Sequence, residues 1–503
     1  MLPPADRLVG AQLHRYIRDS LYWVLHAPRQ TGKTTFLQSW AREINAKGEA
    51  AACCVSLESC QGITDRAEAL STINKAVCAY SEEAGFPIPQ LPLDDTDFLL
   101  HETMKKWAQL LMPKPLVVLF DETDVLEGAP LISFLRQLRG GFAIRRPGIF
   151  PTSVALVGMR DLKDYITTSK EGVAPNPGSP FNIKEDSAVL SNFTKTDIEN
   201  LFAQRTEENG QTISKDALEY TYEQSRGQPW IVNSLFKRVT MRVLDEASAE
   251  TVTLAHVKDA REQMVLARET HLDALAHRLR DVRTKKIIEP IITGSANPDL
   301  GRENSDVQYV MDMGLVKWSS QEGLAIANPI YAEIITRNLN SGYHDIMPHS
   351  LSWQWKKQDG FLDMDALLKE FQKFWRKHSE IWEQKADYTE AFPHLLLMAF
   401  LQRVLNGGGR IDREYAAGRG RMDLSVEYNN ITYIVEIKLV YSHDSPSEVV
   451  AEGLEQIVLY RDKIDKAAPS YLFIFDRRPK TKEKPWEERL SWGTISGITV
   501  IGC

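Results

Sequence analysis

The chain of 503 residues is poor in cysteine, in long apolar runs and in surplus positive charge, and each shortage closes off a class of protein. Five cysteines (Cys53, Cys54, Cys60, Cys78 and Cys503) are too few for a disulfide framework and read as reduced thiols. Cys53 and Cys54 fall in the apolar run Ala50-Ala51-Ala52-Cys53-Cys54-Val55, where they are expected to be small hydrophobes of a buried strand. No stretch approaches the roughly 18 apolar residues of a membrane span. The opening Met1-Leu2-Pro3-Pro4-Ala5-Asp6 lacks the charged and apolar regions of a signal peptide. Sixty Lys and Arg stand against 68 Asp and Glu, a net charge of −8, which excludes nucleic-acid binding through overall basicity but leaves room for local basic patches. Internal repeats and low-complexity tracts are also missing. What remains is an ordinary globular mixture, 43% hydrophobic and 25% charged. Its length suits three or four domains at roughly 100–200 residues each. The expected setting is the cytoplasm, with no membrane partner.

The pattern is α/β and multidomain. Over the first 165 residues, compact apolar runs at Tyr22–His26, Ala51–Leu57, Leu116–Phe120 and Val154–Gly158 alternate with amphipathic helical stretches. That alternation predicts crossover connections and a mostly parallel sheet. From about residue 190 the chain turns helical. Thr196-Asp197-Ile198-Glu199 suggests a capping box for a helix ending near Glu208, and Gly227-Gln228-Pro229-Trp230 breaks two helices. A helix at Val307–Met313 with short strands at Leu315–Trp318 and Gly323–Ile326 suggests a winged-helix module. Such a module either sets a helix in a nucleic-acid groove or packs within the protein. The last hundred residues read helix, strands, helix, strand.

Ala27-Pro28-Arg29-Gln30-Thr31-Gly32-Lys33-Thr34 lies between a predicted strand and a predicted helix, the context a P-loop requires. Backbone N–H groups of the turn and the positive end of the helix would cradle phosphates. Lys33 would reach the β- and γ-phosphates, and Thr34, followed by Thr35, would ligate Mg²⁺. Ala27 stands where the pattern has glycine. Leu116-Val117-Val118-Leu119-Phe120-Asp121-Glu122 is a buried-strand run ending in two carboxylates. In a P-loop fold, Asp121 holds the Mg²⁺ shell and Glu122 orients the attacking water. With these elements in order, residues 1–345 resemble an AAA-type ATPase of the STAND-related group. That resemblance implies ATP as ligand, a polar sensor at Arg160 and a nucleotide contact from the lid through Gly227-Gln228-Pro229. It also implies a tendency to form homo-oligomers.

A second site is expected near the C-terminus. Arg421–Tyr428 and Ile431–Leu439 alternate in hydrophobicity around Asn429-Asn430, which predicts a hairpin with a two-residue turn. Its register pairs Met422 with Ile437, Leu424 with Val435 and Val426 with Tyr433 on an apolar face. Arg421–Lys438, Asp423–Glu436, Ser425–Ile434 and Glu427–Thr432 pair on the other. Asp423 and Glu436 would then have Cβ atoms about 4.5–5.5 Å apart. Two facing carboxylates want a cation between them; Mg²⁺ or Mn²⁺ fits, with Lys438 beside it on the same face. Carboxylates, divalent ion and ammonium make a site for phosphodiester hydrolysis. The competing reading is the solvated outer face of an ordinary antiparallel hairpin.

A helix over Glu448–Asp465 with Gln456 and Tyr460 four apart, then the strand Tyr471–Phe475, completes an order of helix, three strands, helix, strand. This resembles the PD-(D/E)xK nuclease superfamily, whose motif falls on Asp423 and on Glu436-Ile437-Lys438, with Met422 in place of proline. Gln456 and Tyr460 match an auxiliary motif of RecB-type members. The expected organisation is a P-loop ATPase core at 1–182, a helical lid at 183–250 and a winged-helix module at 251–345. A helical linker at 346–388 and an αβββαβ restriction-endonuclease-like domain at 389–503 follow. The function expected is an ATPase whose nucleotide state regulates a metal-dependent nuclease acting on nucleic acid, with DNA favoured. The alternative is a signalling or scaffold ATPase whose nuclease-like domain binds without cleaving.

Overall fold

The computed structural model describes residues 7–9, 13–89, 97–159, 186–244, 249–267, 278–279, 281–293, 301, 303–319, 323–335, 362–383, 396–398, 400–401, 409–412, 424–428, 431–478, 481 and 484–503. Two compact units emerge: Met1–Arg261 with Asp312–Gly314, and Glu262–Met311 with Leu315–Cys503.

The first unit is built on six strands: β1 (Leu8–Val9), β2 (Tyr22–His26), β3 (Ala51–Ser56), β4 (Leu116–Asp121), β5 (Ser153–Gly158) and β6 (Asp186–Leu190), in the order β1-β6-β2-β5-β4-β3. All pairings except β1 with β6 are parallel, giving a five-stranded parallel sheet with one short antiparallel edge. Parallel sheets are covered on both faces, and β2 shows why its sequence is apolar at nearly every position. Tyr22 and Val24 enter the core beneath the helices Arg66–Glu83, Leu99–Leu110 and Gly128–Phe142. Trp23 and Leu25 enter the opposite core beneath Leu13–Arg18 and Lys33–Lys47. A helical layer follows, made of Lys195–Asn209, Lys215–Ser225, Pro229–Arg238 and Leu254–Leu266, with its own apolar cluster around Phe202, Val232 and Phe236. The capping box sits two residues earlier than expected. Thr194, rather than Thr196, exchanges bonds with Asp197, because its extended backbone (φ −75°, ψ 171°) presents the hydroxyl to the third helical amide.

In the second unit, the helices Val282–Thr293 and Ser305–Asp312 accompany an antiparallel pair, β7 (Val316–Ser319) and β8 (Gly323–Ile326). The remaining strands form one mixed sheet: β9 (Gly409–Asp412), β10 (Leu424–Tyr428), β11 (Ile431–Val440), β12 (Ser470–Asp476), β13 (Ser491–Ile495) and β14 (Ile498–Gly502), ordered β13-β14-β12-β11-β10-β9. Strand β11 is antiparallel to β10 and parallel to β12. Its odd-numbered side chains, Tyr433, Val435 and Ile437, join Phe473 and Phe475 under the aromatic helix Met364–Glu383, whose Phe371 rings them edge-on. Its even-numbered Ile434 and Val440 join Leu472 and Ile474 beneath the helix Pro446–Lys463. The sheet is thus sandwiched between helices, and on the polar face of the predicted hairpin Ile434 and Glu436 are buried rather than solvated. No described helix is long and apolar enough to cross a membrane.

Candidate active sites

The phosphate-binding turn runs from the end of β2 into the helix Lys33–Lys47. Two of its residues occupy the left-handed region, Gln30 at φ 57° and Gly32 at φ 91°; Ala27 does not, so alanine at that position strains nothing. Arg29, Thr34 and Thr35 are exposed on the turn, whereas Ala27 and Thr31 are buried. The Lys33 ammonium donates to the carbonyls of Ala27 at 2.8 Å and Pro28 at 2.9 Å. Burial lowers its pKa from 10.5 to about 8, against the opposing pull of Asp124 and Asp121. The Thr34 hydroxyl donates to Asp121 at 2.5 Å, which joins the helix start to the end of β4. Asp121 is 4% exposed, and burial raises its pKa.

Glu122 follows with φ 58°, a turn that swings its side chain off the strand. It accepts a bond from Ser56 at 2.9 Å, at the tip of neighbouring β3, and burial raises its pKa as well. The Gly227-Gln228-Pro229 break lies against the turn. Pro229 opens its helix, and Gln228 caps that helix by accepting from the Ile231 amide at 2.7 Å. Gln228 also reaches the Gln30 carbonyl at 3.5 Å. Gly227 is at φ 74°, and a Cβ there would fall 1.9 Å from the Phe193 carbonyl oxygen, so no other residue fits.

Ser56, Asp124 and Arg7 were not singled out from the sequence. Arg7 is buried and donates to the carbonyls of Thr31 at 2.7 Å and Ser191 at 2.9 Å, with its guanidinium 4.7 Å from the Phe193 ring centroid. Burial lowers its pKa to about 10. It ties the phosphate-binding turn to the segment leading into the helix Lys195–Asn209. Its partners are backbone carbonyls far along the chain, which leave no local sequence signal.

In the second unit the predicted hairpin register holds over all five described pairs, from Leu424–Val435 to Tyr428–Ile431. Asp423 lies outside the described residues, as does Arg421; in the first unit Arg160 does too. Glu436 is 2% exposed, and the Lys438 ammonium lies 3.7 Å from its Oε1. A carboxylate this deep is costly unless a cation accompanies it. Lys438 also meets Glu452 at 2.9 Å, and Gln456 donates to that same Glu452 oxygen at 3.4 Å. Tyr460 is buried in the layer between helix and sheet. Among the described residues, no three His, Cys, Asp or Glu side chains gather as a metal-holding group. The oxygen donors present, the Thr34 hydroxyl with the Asp121 carboxylate and the buried carboxylate of Glu436, are hard ligands of the kind Mg²⁺ takes.

A family model of the PD-(D/E)XK nuclease superfamily matches residues 388–471. Among solved structures, the Walker-type ATPase of Pyrococcus abyssi is 15% identical with a TM-score of 0.45, the match covering 65% of this chain and 96% of that one. The RuvB Holliday junction branch migration motor of Thermotoga maritima is 14% identical, TM-score 0.34, covering 64% and 90%. Cdc6p from Pyrobaculum aerophilum is 15% identical, TM-score 0.36, covering 66% and 91%. No curated protein matches in sequence. By its strand order and phosphate-binding turn at one end, and its matched family at the other, the chain joins a P-loop NTPase fold to a PD-(D/E)XK nuclease-superfamily domain.

Proposed function

We propose that this protein binds and hydrolyses ATP at the turn 27–34, and that its C-terminal domain cleaves phosphodiester bonds of nucleic acid, DNA first among them, under control of the nucleotide state. The observation that carries the nuclease half is the buried Glu436 carboxylate with the Lys438 ammonium 3.7 Å away on the same strand face. An isolated structural ion pair would gain little by lying so deep. Asp423, from the sequence pattern, supplies the second carboxylate. Asp423 and Glu436 would hold Mg²⁺ or Mn²⁺, as Thr34 and Asp121 would at the ATP site. A bound divalent ion supplies Lewis acidity and a water of lowered pKa.

The chain's own groups do the rest. Lys438 offsets the negative charge that builds on the phosphate as its bond to oxygen breaks. In the ATPase half, turn amides bind the phosphates, and Lys33 exchanges the Ala27 and Pro28 carbonyls for phosphate oxygens. Glu122, steadied by Ser56, orients the attacking water. The test uses the purified full chain with Mg²⁺ or Mn²⁺ on labelled single- and double-stranded DNA and RNA. Lys438→Ala should cut the rate by about a hundredfold or more, and Lys33→Ala should abolish ATP binding with the fold intact. If wild type and Lys438→Ala are equally inert on every substrate, the nuclease reading fails; unchanged ATP affinity in Lys33→Ala removes the other half.

A further inference from the structure

The helix Pro446–Lys463 brings one more group to the second site. Gly453 lies on Leu472, the strand partner of Glu436 across β11 and β12. A Cβ at 453 would come 2.5 Å from Leu472 Cδ1, so glycine is what lets the helix seat this low. The neighbouring Glu452 thereby reaches Lys438. Its Oε1 accepts from the Lys438 ammonium at 2.9 Å, closer than the 3.7 Å to Glu436. One helical turn on, Gln456 Nε2 donates to the same oxygen at 3.4 Å. The other end of that amide, Gln456 Oε1, is buried without a hydrogen-bond partner among the described residues. Strand carboxylate, ammonium, helix carboxylate and helix amide therefore form a continuous series of contacts.

We propose that Glu452 is a positioning residue for the Lys438 ammonium in phosphodiester cleavage, an inference that rests on the nuclease reading above. Lysine carries its charge on a flexible four-carbon stem, and a charge that stabilises a transition state has to be fixed in advance. Glu436 cannot fix it alone: once its oxygens face a divalent cation, that cation and the ammonium repel each other. Glu452 supplies the missing anchor from the helix Pro446–Lys463. Its side chain is 62% exposed, so the pair adds little to folding. The contact earns its place through geometry.

The experiment compares the full-length wild type with Glu452→Gln, Glu452→Asp, Lys438→Ala and the double variant Glu452→Gln/Lys438→Ala, in DNA cleavage and in calorimetric titration with Mn²⁺ alone. Glu452→Gln should lose activity about tenfold to a hundredfold, as groups that orient a site's working residues do. Glu452→Asp should recover part of that loss. The double variant should be no slower than Lys438→Ala alone, because the effect passes through the lysine. Mn²⁺ affinity in Glu452→Gln should stay within about twofold of wild type. Full activity in Glu452→Gln, or additive losses in the double variant, overturns the positioning role; weakened Mn²⁺ binding overturns it in favour of direct ligation. A wild type that cleaves nothing takes down the nuclease reading and this inference together, whereas an active wild type indifferent to Glu452 removes only the latter.

Discussion

Lys33 is predicted to cost the fold stability. Its ammonium is held among backbone carbonyls with a pKa of about 8 in place of 10.5. That displacement corresponds to about 3 kcal/mol against folding at neutral pH. Residual exposure of the side chain reduces this figure, and the two bonds to Ala27 and Pro28 return about 1 kcal/mol each. Lys33→Met, which keeps the stem and drops the charge, should therefore be more stable than wild type by about 1 kcal/mol when no nucleotide is added. The pH dependence has a definite sign. Below about 8 the lysine is charged in folded and unfolded chains alike, and the penalty is full. Between about 8 and 10.5 the folded chain has released a proton that the unfolded chain still carries, so wild-type stability rises and the variant's advantage fades. Urea unfolding followed on the N-terminal transition measures both. Adding ATP at about a hundred times its Kd should stabilise wild type by about 2.7 kcal/mol and the variant not at all. A variant less stable than wild type at pH 7, or one that still responds to ATP, would refute the reasoning.

Gly227→Ala should destabilise the N-terminal unit by about 2–4 kcal/mol, from left-handed strain and the clash with the Phe193 carbonyl, and should weaken ATP binding. Thermal unfolding and ATP titration check this; a variant unchanged in both would mean that the close approach is relieved cheaply. Arg7→Ala leaves the Thr31 carbonyl without its buried donor and removes the guanidinium from the Phe193 ring, at a cost of about 2 kcal/mol. The same two assays should show lower stability together with lower ATP affinity. Loss of stability alone would make Arg7 purely structural.

Local signals were legible and long-range ones were not. The run Tyr22–His26 appeared as a strand to the residue, because a strand buried on both faces is apolar throughout. The hairpin register followed from alternation around Asn429-Asn430, since a slip by one residue would turn Val435 and Ile437 away from their core. The insertion of β5 between β2 and β4 carries no local mark, because crossover packing decides which parallel strands are neighbours. The hairpin's second face reads as polar alternation, yet a helix covers its β11 half; nothing between Ser425 and Lys438 announces the chain segment some fifteen residues on that lies over it. Ser56, Arg7 and Glu452 act through partners distant in the chain, so composition around them is uninformative.

Strand β11 divides two chemically different compartments, aromatic on one side and bearing Glu436 and Lys438 on the other. Folding therefore proofreads the chemistry: a chain that threads this strand one place out of step must push a carboxylate among phenyl rings, and such a molecule cannot persist. Every copy that folds therefore carries Glu436 and Lys438 on the side away from the aromatic cluster. The accuracy of that arrangement is thus set by the packing of the sheet alone.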